Sequence, residues 1–356
     1  MNRLYQDSRI IRSFMKTEVE GKSMVSLGIG LTSNCNLNCA HCYRNHDRID
    51  NLTLADIKMV CENLDIGSIG FGTGENGLNP DYFAIIEYLH HRQIRMTLAS
   101  NGYTLSITPD EQLRYFSDVE FSVDFPDQAR QDRFRGQGNW QTVLKGVERC
   151  RRLDIRVSIL AVLMNLNYQD LAHVAQLAAS LGANFRVNVY QPMYTTEFMP
   201  DFQQYWEAYK ILFDRTEVIS VTEPLVNTFM GLNGLNGTPC GGDSMRVTPD
   251  RKLKACTYWP ESELTVDDLE QAKERIFESP QFRQTRYIPG FCRNCEHVAN
   301  CGGGCAARRK LRGQLDAPDE YCPIFRDQKV ELNARLSTAQ KPLRTGSICT
   351  TIVRGN

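Results

Sequence analysis

Three cysteines stand close together near the start of the chain, in the stretch TSNCNLNCAHCYRNHD. Cys35, Cys39 and Cys42 have a C-x3-C-x2-C spacing, one thiolate short of a complete four-cysteine site. Three thiolates can ligate three irons of a [4Fe–4S] cluster and leave the fourth iron free to bind a small molecule. The alternative is a closed zinc site completed by His41 or His46, because three cysteines and one histidine commonly bind zinc. The spacing alone leaves both open.

The composition describes an ordinary soluble protein, since 42% of the 356 residues are hydrophobic and 23% are charged. A formal net charge of −1 gives no overall field that would recruit nucleic acid or an anionic membrane surface. The N-terminal segment MNRLYQDSRIIRSFMKTEVEGKS lacks the apolar run of a signal peptide, and no later stretch is long and apolar enough to span a bilayer. We therefore expect a cytoplasmic protein that binds neither nucleic acid nor membrane.

A second group of seven cysteines falls between residues 240 and 322. Its members are Cys240, Cys256, Cys292, Cys295, Cys301, Cys305 and Cys322. Thirteen cysteines in a reducing compartment indicate metal or cluster binding rather than a disulfide framework. A zinc ribbon formed by the four cysteines at 292–305 is the alternative, but it would leave three members of the group unused. We interpret Cys61 and Cys150 as small buried apolar residues and Cys349 as an exposed thiol in a tail.

Strand and helix patterns alternate through the first two hundred residues. Apolar, β-branched runs predict six buried strands at 24–32, 66–72, 94–100, 119–125, 155–164 and 183–191. Helical patterns lie between strands at 53–64, 80–92, 139–153 and 168–181. This order predicts an α/β fold in which a parallel sheet, curled towards a barrel, is covered by helices. Ligands of such folds bind in the loops after the strands, and the three-cysteine loop follows the first strand.

These loops resemble those of the radical S-adenosylmethionine (radical SAM) superfamily. CNLNCAHCY is similar to the cluster motif of that family, which has an aromatic residue before the third cysteine; here His41 occupies that position and Tyr43 follows. GTGEN, after the second strand, resembles the GGEP stretch of the family, with Thr73 and Asn76 as departures. The resemblance implies a partial (β/α)6 radical SAM barrel in which the three cysteines hold a [4Fe–4S] cluster that binds S-adenosylmethionine.

Residues at the strand ends are candidate S-adenosylmethionine contacts by the same resemblance. They are Tyr43, Gly74, Glu75, Ser100, Asn101, Ser122, Asp124 and Asn165. Gly74 and Glu75 lie at the edge that would hold the methionine amino group, which a carboxylate suits. The remaining polar groups could bond the ribose hydroxyls and the carboxylate. Each alone has an ordinary interpretation as a turn residue, and their order behind the cysteine loop favours the cofactor. No catalytic acid or base is assigned.

The second cysteine group resembles the SPASM extension of radical SAM enzymes, which carries two auxiliary [4Fe–4S] clusters. The resemblance assigns seven ligands, with Cys292, Cys295, Cys301 and Cys322 around an outer cluster and Cys240, Cys256 and Cys305 around an inner one. Fully ligated members have a further cysteine shortly before the position of Cys240. This chain has none there, so we expect an open iron in the inner cluster. Arg251 replaces a glycine that the family usually has before the second cysteine of this region.

These patterns divide the chain into four parts. We expect a lead segment at 1–23, the radical SAM partial barrel at 24–215, a SPASM domain with two auxiliary clusters at 216–325, and a C-terminal helix and tail at 326–356. The helix is predicted to begin in RDQKVELNARL. Peptide-modifying members often present the leader peptide on a small domain ahead of the barrel, and neither terminal part is long enough to bury such a core. We therefore expect a separate small leader-recognition protein.

The resemblance also implies the reaction. Radical SAM enzymes cleave S-adenosylmethionine with one electron, and the 5′-deoxyadenosyl radical takes a hydrogen atom from a substrate carbon. SPASM members mostly modify ribosomally made peptides, so we expect a precursor peptide and an external electron donor of the flavodoxin or ferredoxin type. GTGEN and SVDFPD resemble maturases of precursors with nitrogen-fixation-related leaders, including spliceases that excise a tyramine unit and leave an α-keto-β-amino acid. The alternatives are thioether or carbon crosslinking, sulfatase activation, and a non-catalytic iron–sulfur or zinc scaffold.

The cysteine assignment predicts how much iron the chain binds. Ten cysteines divide as three, three and four around three clusters, so roughly twelve irons and twelve sulfides per chain are expected after anaerobic reconstitution. Replacing Cys35, Cys39 and Cys42 with alanine should remove about a third of the iron, in line with one cluster of three. Colorimetric iron and sulfide assays with parallel zinc analysis measure this. A colourless protein with stoichiometric zinc would refute the assignment.

Overall fold

The computed structural model describes residues 24–230, 240–242, 244–338 and 349–355. The expected lead segment at 1–23 lies outside these ranges. Within them, one large sheet is covered by helices, and the α/β fold class predicted from the sequence is confirmed. No helix in the described ranges is long and apolar enough to cross a bilayer.

Ten strands of the described residues form a single sheet. They are β1 (Val25–Ile29), β2 (Ile66–Phe71), β3 (Arg95–Ser100), β4 (Phe116–Ser122), β5 (Arg156–Leu163), β6 (Asn184–Val189), β7 (Thr216–Val221), β8 (Ser244–Val247), β9 (Leu253–Lys254) and β10 (Thr350–Gly355). Their order across the sheet is β7-β10-β6-β5-β4-β3-β2-β1-β8-β9. The six predicted strands, β1 to β6, are parallel neighbours in sequence order. β8 extends the sheet parallel to β1, and β10 is antiparallel to both β6 and β7.

The α-helices pack along this sheet and connect its strands. They are α1 (Leu54–Asn63), α2 (Tyr82–His91), α3 (Tyr103–Ile107), α4 (Asp110–Leu113), α5 (Gln128–Arg135), α6 (Asn139–Arg152), α7 (Leu171–Ser180), α8 (Phe202–Asp214), α9 (Pro224–Phe229), α10 (Leu269–Ala272), α11 (Pro280–Gln284), α12 (Val298–Cys301) and α13 (Ala306–Leu311). The four predicted helices correspond to α1, α2, α6 and α7. Capping explains where α1 begins, because Thr53 Oγ1 accepts a hydrogen bond from Asp56 N and Thr53 N donates to the Asp56 carboxylate. The predictions omitted α5 and α8.

The predicted C-terminal helix in 326–336 is wrong. The backbone forms no helix in this segment, which runs beside β7 instead: Val218 N donates to Arg335 O at 2.7 Å, and Ser337 N donates to Val218 O at 2.8 Å. Alternate apolar side chains of the segment pack against the core, namely Val330, Leu332 and Ala334. That period of two is typical of extended backbone. Tertiary pairing therefore overrides the helix propensity of the individual residues.

The expected tail contributes β10, which lies between β6 and β7 near one end of the sheet. Thr351 pairs with Val187 of β6 on one side and with Val221 of β7 on the other. The β-branched run ICTTIV was the sequence signal for this strand. Cys349 immediately precedes β10 and is half-buried, so its prediction as an exposed tail thiol is wrong. Its position before β10 therefore places the Cys349 thiol within the folded protein.

The central strands hold a buried ion network. Arg186 Nη1 of β6 lies 3.5 Å from Glu120 Oε1 of β4, and Arg186 Nη2 lies 3.9 Å from Asp118 Oδ2 of the same strand. None of the three side chains is more than 3% exposed. Burial raises the pKa of Asp118 to about 6, although the Arg186 guanidinium acts to lower it. Ionisation of Asp118 in the folded protein therefore costs free energy.

This network predicts a pH dependence of stability. The folded-state pKa of Asp118 lies above that of an unfolded aspartate, about 4, so the folded state binds this proton more tightly. The free energy of unfolding should therefore fall as the pH rises from about 4 through about 6, by up to about 3 kcal/mol. Asp118→Asn should remove this part of the slope. Urea unfolding of both proteins across this pH range measures the difference. If the free energies of unfolding of the two proteins depend on pH in the same way, Asp118 is not the group responsible.

Candidate active site at the carboxyl edge of the sheet

The three-cysteine loop leaves the carboxyl end of β1 and folds over the edge of the sheet. The guanidinium of Arg44 holds the loop together by donating to Ser33 O at 3.1 Å and to Leu37 O at 3.0 Å. The three thiols are half-buried, those of Cys35, Cys39 and Cys42. Burial raises the pKa of Cys35 to about 11 and also raises that of Cys39. Without a metal or cluster the thiols of Cys35 and Cys39 would be protonated at neutral pH.

A buried ion pair supports one side of this loop. Arg135 Nε donates to Asp124 Oδ2 at 2.7 Å, and Asp124 is fully buried. Arg135 Nη2 also lies 3.4 Å from His41 Nε2, and the His41 ring stacks on Phe134 with centroids 4.8 Å apart. Burial lowers the pKa of His41 to about 4 despite the nearby Asp124 carboxylate, so the ring is neutral at pH 7. Cys39 Sγ donates to Arg135 O at 3.6 Å, so the end of α5 positions the cysteine loop.

The carboxylate of Glu75 connects the loops after β2 and β3. Its Oε1 accepts hydrogen bonds from Ser100 Oγ at 2.5 Å, from Thr104 N at 2.9 Å and from Thr104 Oγ1, and its Oε2 accepts from Asn101 N at 2.9 Å. Glu75 is 1% exposed. Burial raises its pKa, whereas these hydrogen bonds act to lower it. The side chain that the sequence analysis directed at a ligand ammonium therefore positions two other candidates, Ser100 and Asn101.

Asn101 brings the loop after β3 to the cysteine loop. Its Nδ2 donates to Asn36 Oδ1 at 2.8 Å and lies 3.6 Å from Cys35 Sγ. Asn139 Nδ2 donates to Asn101 O at 3.0 Å, which fixes the backbone of the residue as well. Asn101 thus joins the end of β3 to a thiol of the cysteine loop.

Ser122 and Asn165 lie further along the same edge of the sheet. Ser122 is the last residue of β4, and Asn165 follows β5. Asn165 Nδ2 donates to Glu197 O at 2.7 Å. Its Oδ1 is buried without a hydrogen-bond partner among the residues that the structure describes. A buried oxygen of this kind suits a donor from a bound ligand.

Left-handed backbone at Thr73 and Gly74 brings the loop after β2 against the cysteine loop. Their φ angles are 67° and 62°. A Cβ on Gly74 would lie 2.4 Å from Thr32 O and 2.5 Å from Asn34 O, so the close approach requires glycine. Thr73 adopts a conformation that costs a non-glycine residue about 1–2 kcal/mol, and its Oγ1 lies 3.0 Å from Tyr43 OH. The departure of Thr73 from the glycine of the motif thus gives Tyr43 a hydrogen-bond partner.

A cavity beside this edge is lined by four cysteines. They are Cys240, Cys256, Cys305 and Cys349. Tyr258, in the same wall, meets Tyr43 edge-on with ring centroids 5.3 Å apart, so the cavity adjoins the three-cysteine loop. Asn188 Oδ1 and Gln191 Oε1 of the wall are buried and have no hydrogen-bond partner in the described ranges. We call this the inner cavity.

A second cavity, the outer cavity, is lined by four other cysteines. They are Cys292, Cys295, Cys301 and Cys322. Burial raises the pKa of Cys292 to about 11. Gly303 N donates to Cys301 Sγ at 3.4 Å, and the φ of Gly303 is 85°. The seven cysteines of the second group therefore divide between two places in the protein as the sequence assignment divides them.

A buried arginine lies between the two cavities. Arg308 Nη2 donates to Asp319 Oδ2 at 2.6 Å and to Glu223 Oε1 at 3.0 Å. Arg308 and Glu223 line the inner cavity, whereas Asp319 lines the outer one. Asp319 Oδ2 also accepts from Cys305 N at 2.7 Å. Gly304 makes this possible, because a Cβ there would lie 2.4 Å from Asp319 Cβ.

Comparison with known proteins identifies the fold that forms this edge. Residues 29–178 match the family model of the Radical SAM superfamily. The mycofactocin maturase MftC of Mycobacterium tuberculosis (strain CDC 1551 / Oshkosh) is 24% identical over 318 residues, which cover 82% of this chain and 81% of that protein. The chain contains a radical SAM domain.

Solved radical SAM structures share its fold. The structure of anSMEcpe with bound AdoMet superposes with a TM-score of 0.64 at 18% identity, covering 85% of this chain and 92% of that one. Streptococcus suis SuiB bound to the precursor peptide SuiA gives a TM-score of 0.62 at 14% identity, covering 83% of this chain and 75% of that one. The radical SAM partial barrel predicted from the sequence is therefore confirmed.

The donor atoms of the site suit iron–sulfur clusters. No group of three or more Cys, His, Asp or Glu side chains in the described ranges is arranged around a single metal ion. A [4Fe–4S] cluster binds each thiolate through a different iron, so its ligands surround a space rather than one point. The cysteine-lined inner and outer cavities have that arrangement.

Several residues of the site were absent from the sequence candidates. Among them are Arg135, Tyr258, Arg308 and Cys349. The run ICTTIV could have placed Cys349 beside a strand. Arg308 gave no local signal, because its partner Glu223 lies 85 residues away in the sequence.

Glu75→Gln tests the connection between the loops. An amide in place of the carboxylate puts an NH2 group opposite at least one of the buried donors of Ser100, Asn101 or Thr104, and leaving such a donor unpaired costs about 1–3 kcal/mol. The melting temperature of the cluster-free protein should therefore fall by several degrees. Glu62→Gln, at an exposed position of α1, is the matched control and should not change it. Equal melting temperatures for the two variants would show that Glu75 does not hold these loops.

Proposed function

We propose that this protein is a radical SAM peptide maturase that removes a hydrogen atom from the core of a ribosomally made precursor peptide. The observation that carries the proposal is the contact of Tyr43 with Tyr258, which joins the three-cysteine loop to a second cysteine-lined cavity. A site that only cleaves S-adenosylmethionine has no need of that second cavity. The similarity to MftC, a maturase by name, extends over 82% of the chain and supports a peptide substrate. SuiB, which shares the fold, was solved with its precursor peptide.

Each group at the carboxyl edge has a role in this proposal. Bound there, S-adenosylmethionine and a [4Fe–4S] cluster supply a radical that takes a hydrogen atom from the substrate. The cluster ligands are Cys35, Cys39 and Cys42. The cofactor contacts are Tyr43, Gly74, Glu75, Ser100, Asn101, Ser122, Asp124 and Asn165. Among them, Glu75 and Asp124 act mainly by positioning, because their carboxylates already bind Asn101 and Arg135.

The two further cavities serve auxiliary [4Fe–4S] clusters in a SPASM domain. Cys292, Cys295, Cys301 and Cys322 surround the outer cluster. Cys240, Cys256 and Cys305 belong to the inner one, beside Tyr258 and therefore close to the bound substrate. A cluster held by these cysteines would supply an acceptor for an electron from the substrate after hydrogen abstraction.

The substrate peptide is the finer part of the proposal. The resemblance of GTGEN and SVDFPD to spliceases favours a core with a Tyr-Gly pair, from which a tyramine unit is excised to leave an α-keto-β-amino acid. A separate small protein presents the leader, and a flavodoxin or ferredoxin supplies the electron. A crosslinked thioether product, with loss of two hydrogen atoms and no loss of tyramine, would identify a crosslinking maturase instead.

Two separate products test the proposal. Reconstituted enzyme is incubated anaerobically with dithionite, S-adenosylmethionine and the precursor peptide encoded beside its gene, and 5′-deoxyadenosine and peptide mass are measured. We expect the wild-type enzyme to form 5′-deoxyadenosine with or without the leader-recognition protein, and to change the peptide mass only when that protein is present. The variant with Cys35, Cys39 and Cys42 replaced by alanine should form neither product. Absence of 5′-deoxyadenosine from the fully reconstituted wild type would rule out the radical reaction.

A further inference from the structure

The thiol of Cys349 stands among the cysteines of the inner cavity. Its Sγ lies 3.7 Å from Cys240 Sγ, and the thiol also contacts Cys305. Cys256 lines the same cavity. The four thiols come from four separate segments of the chain, so the fold rather than a local motif assembles them.

The position of Cys349 is set by its neighbour in β10. Thr350 N donates to Thr222 Oγ1 at 3.0 Å, and Thr222 N donates to Thr350 O at 2.9 Å. On the other side, Thr350 pairs with Asn188 of β6, whose side chain lines the inner cavity. Cys349 itself has a φ of 63°, which is uncommon for a residue with a side chain. Pairing on both sides of β10 thus fixes the backbone that presents the thiol.

We propose that Cys349 is the fourth protein ligand of the inner auxiliary cluster, an inference that rests on the proposed function. The sequence lacks the cysteine that fully ligated members have shortly before Cys240. Cys349, which follows Cys240 by 109 residues, brings a thiol to the same cavity. A [4Fe–4S] cluster with four thiolates is complete. Cys349 then ligates the iron that the sequence analysis expected to lack a protein ligand.

Ligation of the fourth iron by a thiolate would determine which roles are open to the inner cluster. A cluster with four thiolate ligands offers no exchangeable position, so neither a substrate thiolate nor a substrate carbonyl binds it directly. Its remaining role is electron transfer. A disulfide between Cys240 and Cys349 is a different use of the same two atoms, but their separation of 3.7 Å is well beyond the length of an S–S bond, about 2.05 Å.

The test removes the first cluster, whose own open iron would obscure the result. In the variant with Cys35, Cys39 and Cys42 replaced by alanine, about eight irons per chain should remain. Mild oxidation with ferricyanide extracts the iron that lacks a thiolate from a cubane and leaves a [3Fe–4S] cluster, which electron paramagnetic resonance detects and quantifies. This background should give little [3Fe–4S] signal. Adding Cys349→Ala should raise the signal to about one cluster per chain and release about one iron.

Two controls separate ligation from packing. Cys61→Ala removes a buried thiol of α1, outside both cavities, and should leave the signal unchanged. Val353→Ala disturbs the buried side of β10 but keeps the Cys349 thiol, and should also leave it unchanged. If Cys349→Ala does not fold, Cys349→Ser, which keeps the size of the side chain, should change the spectrum. An unchanged spectrum in Cys349→Ser would overturn the proposal.

The remaining outcomes distinguish the two levels of inference. A full [3Fe–4S] signal in the background itself, or the same signal with and without Cys349, would overturn ligation by Cys349 and leave the proposed function intact. A background that binds zinc, or that binds only about four irons and gives no [3Fe–4S] signal after Cys349→Ala, would show that the inner cavity holds no cluster. That result would overturn the auxiliary-cluster part of the proposed function together with this inference.

Discussion

Both cysteine-lined cavities depend on the ion pairs that the buried guanidinium of Arg308 forms. Its side chain is 1% exposed and lies between the carboxylates of Glu223 and Asp319, which are equally buried. Breaking a buried pair by removing one partner typically costs about 3–5 kcal/mol, because the other charge stays behind without compensation. Here two carboxylates would be left. The planar guanidinium also lies over the rings of Tyr205 and Tyr321, so charge and aromatic packing act together.

This centre joins the end of the large sheet near β7 to residues 292–322, called here the cysteine-rich segment. Glu223 caps α9 by accepting from Val226 N at 2.8 Å, close to the end of β7 in the large sheet. Asp319 belongs to the cysteine-rich segment, where its carboxylate accepts from Cys305 N. A displacement of Arg308 would therefore move the walls of both cavities at once. If the two cavities hold the proposed clusters, this buried connection would keep the distance between them constant.

Local patterns in the sequence were sufficient for the barrel strands and for the grouping of the cysteines. Buried parallel strands are apolar throughout, and closely spaced cysteines are visible without knowledge of the fold. The family pattern has glycine at two positions where this chain has Thr73 and Arg251. Both residues adopt left-handed backbone, with φ of 67° and 65°. Arg251 offsets that cost by binding Asp56 and Asp267. Contacts between distant segments, such as the pairing of β10 with β6, leave no such local mark, and the predicted helix at 326–336 failed for that reason.

The insertion of β10 between β6 and β7 also determines the order in which parts of the sheet can form during synthesis. Among the strands that the structure describes, β10 leaves the ribosome last, yet β7 reaches the rest of the sheet through it. Its contacts bridge more than a hundred residues, as the 128 residues between Thr222 and Thr350 show, and contacts of this range form slowly. While β10 is still absent, β6 and β7 both present an unpaired edge, which is a site for aggregation. A nascent chain therefore needs protection at that edge until β10 is in place.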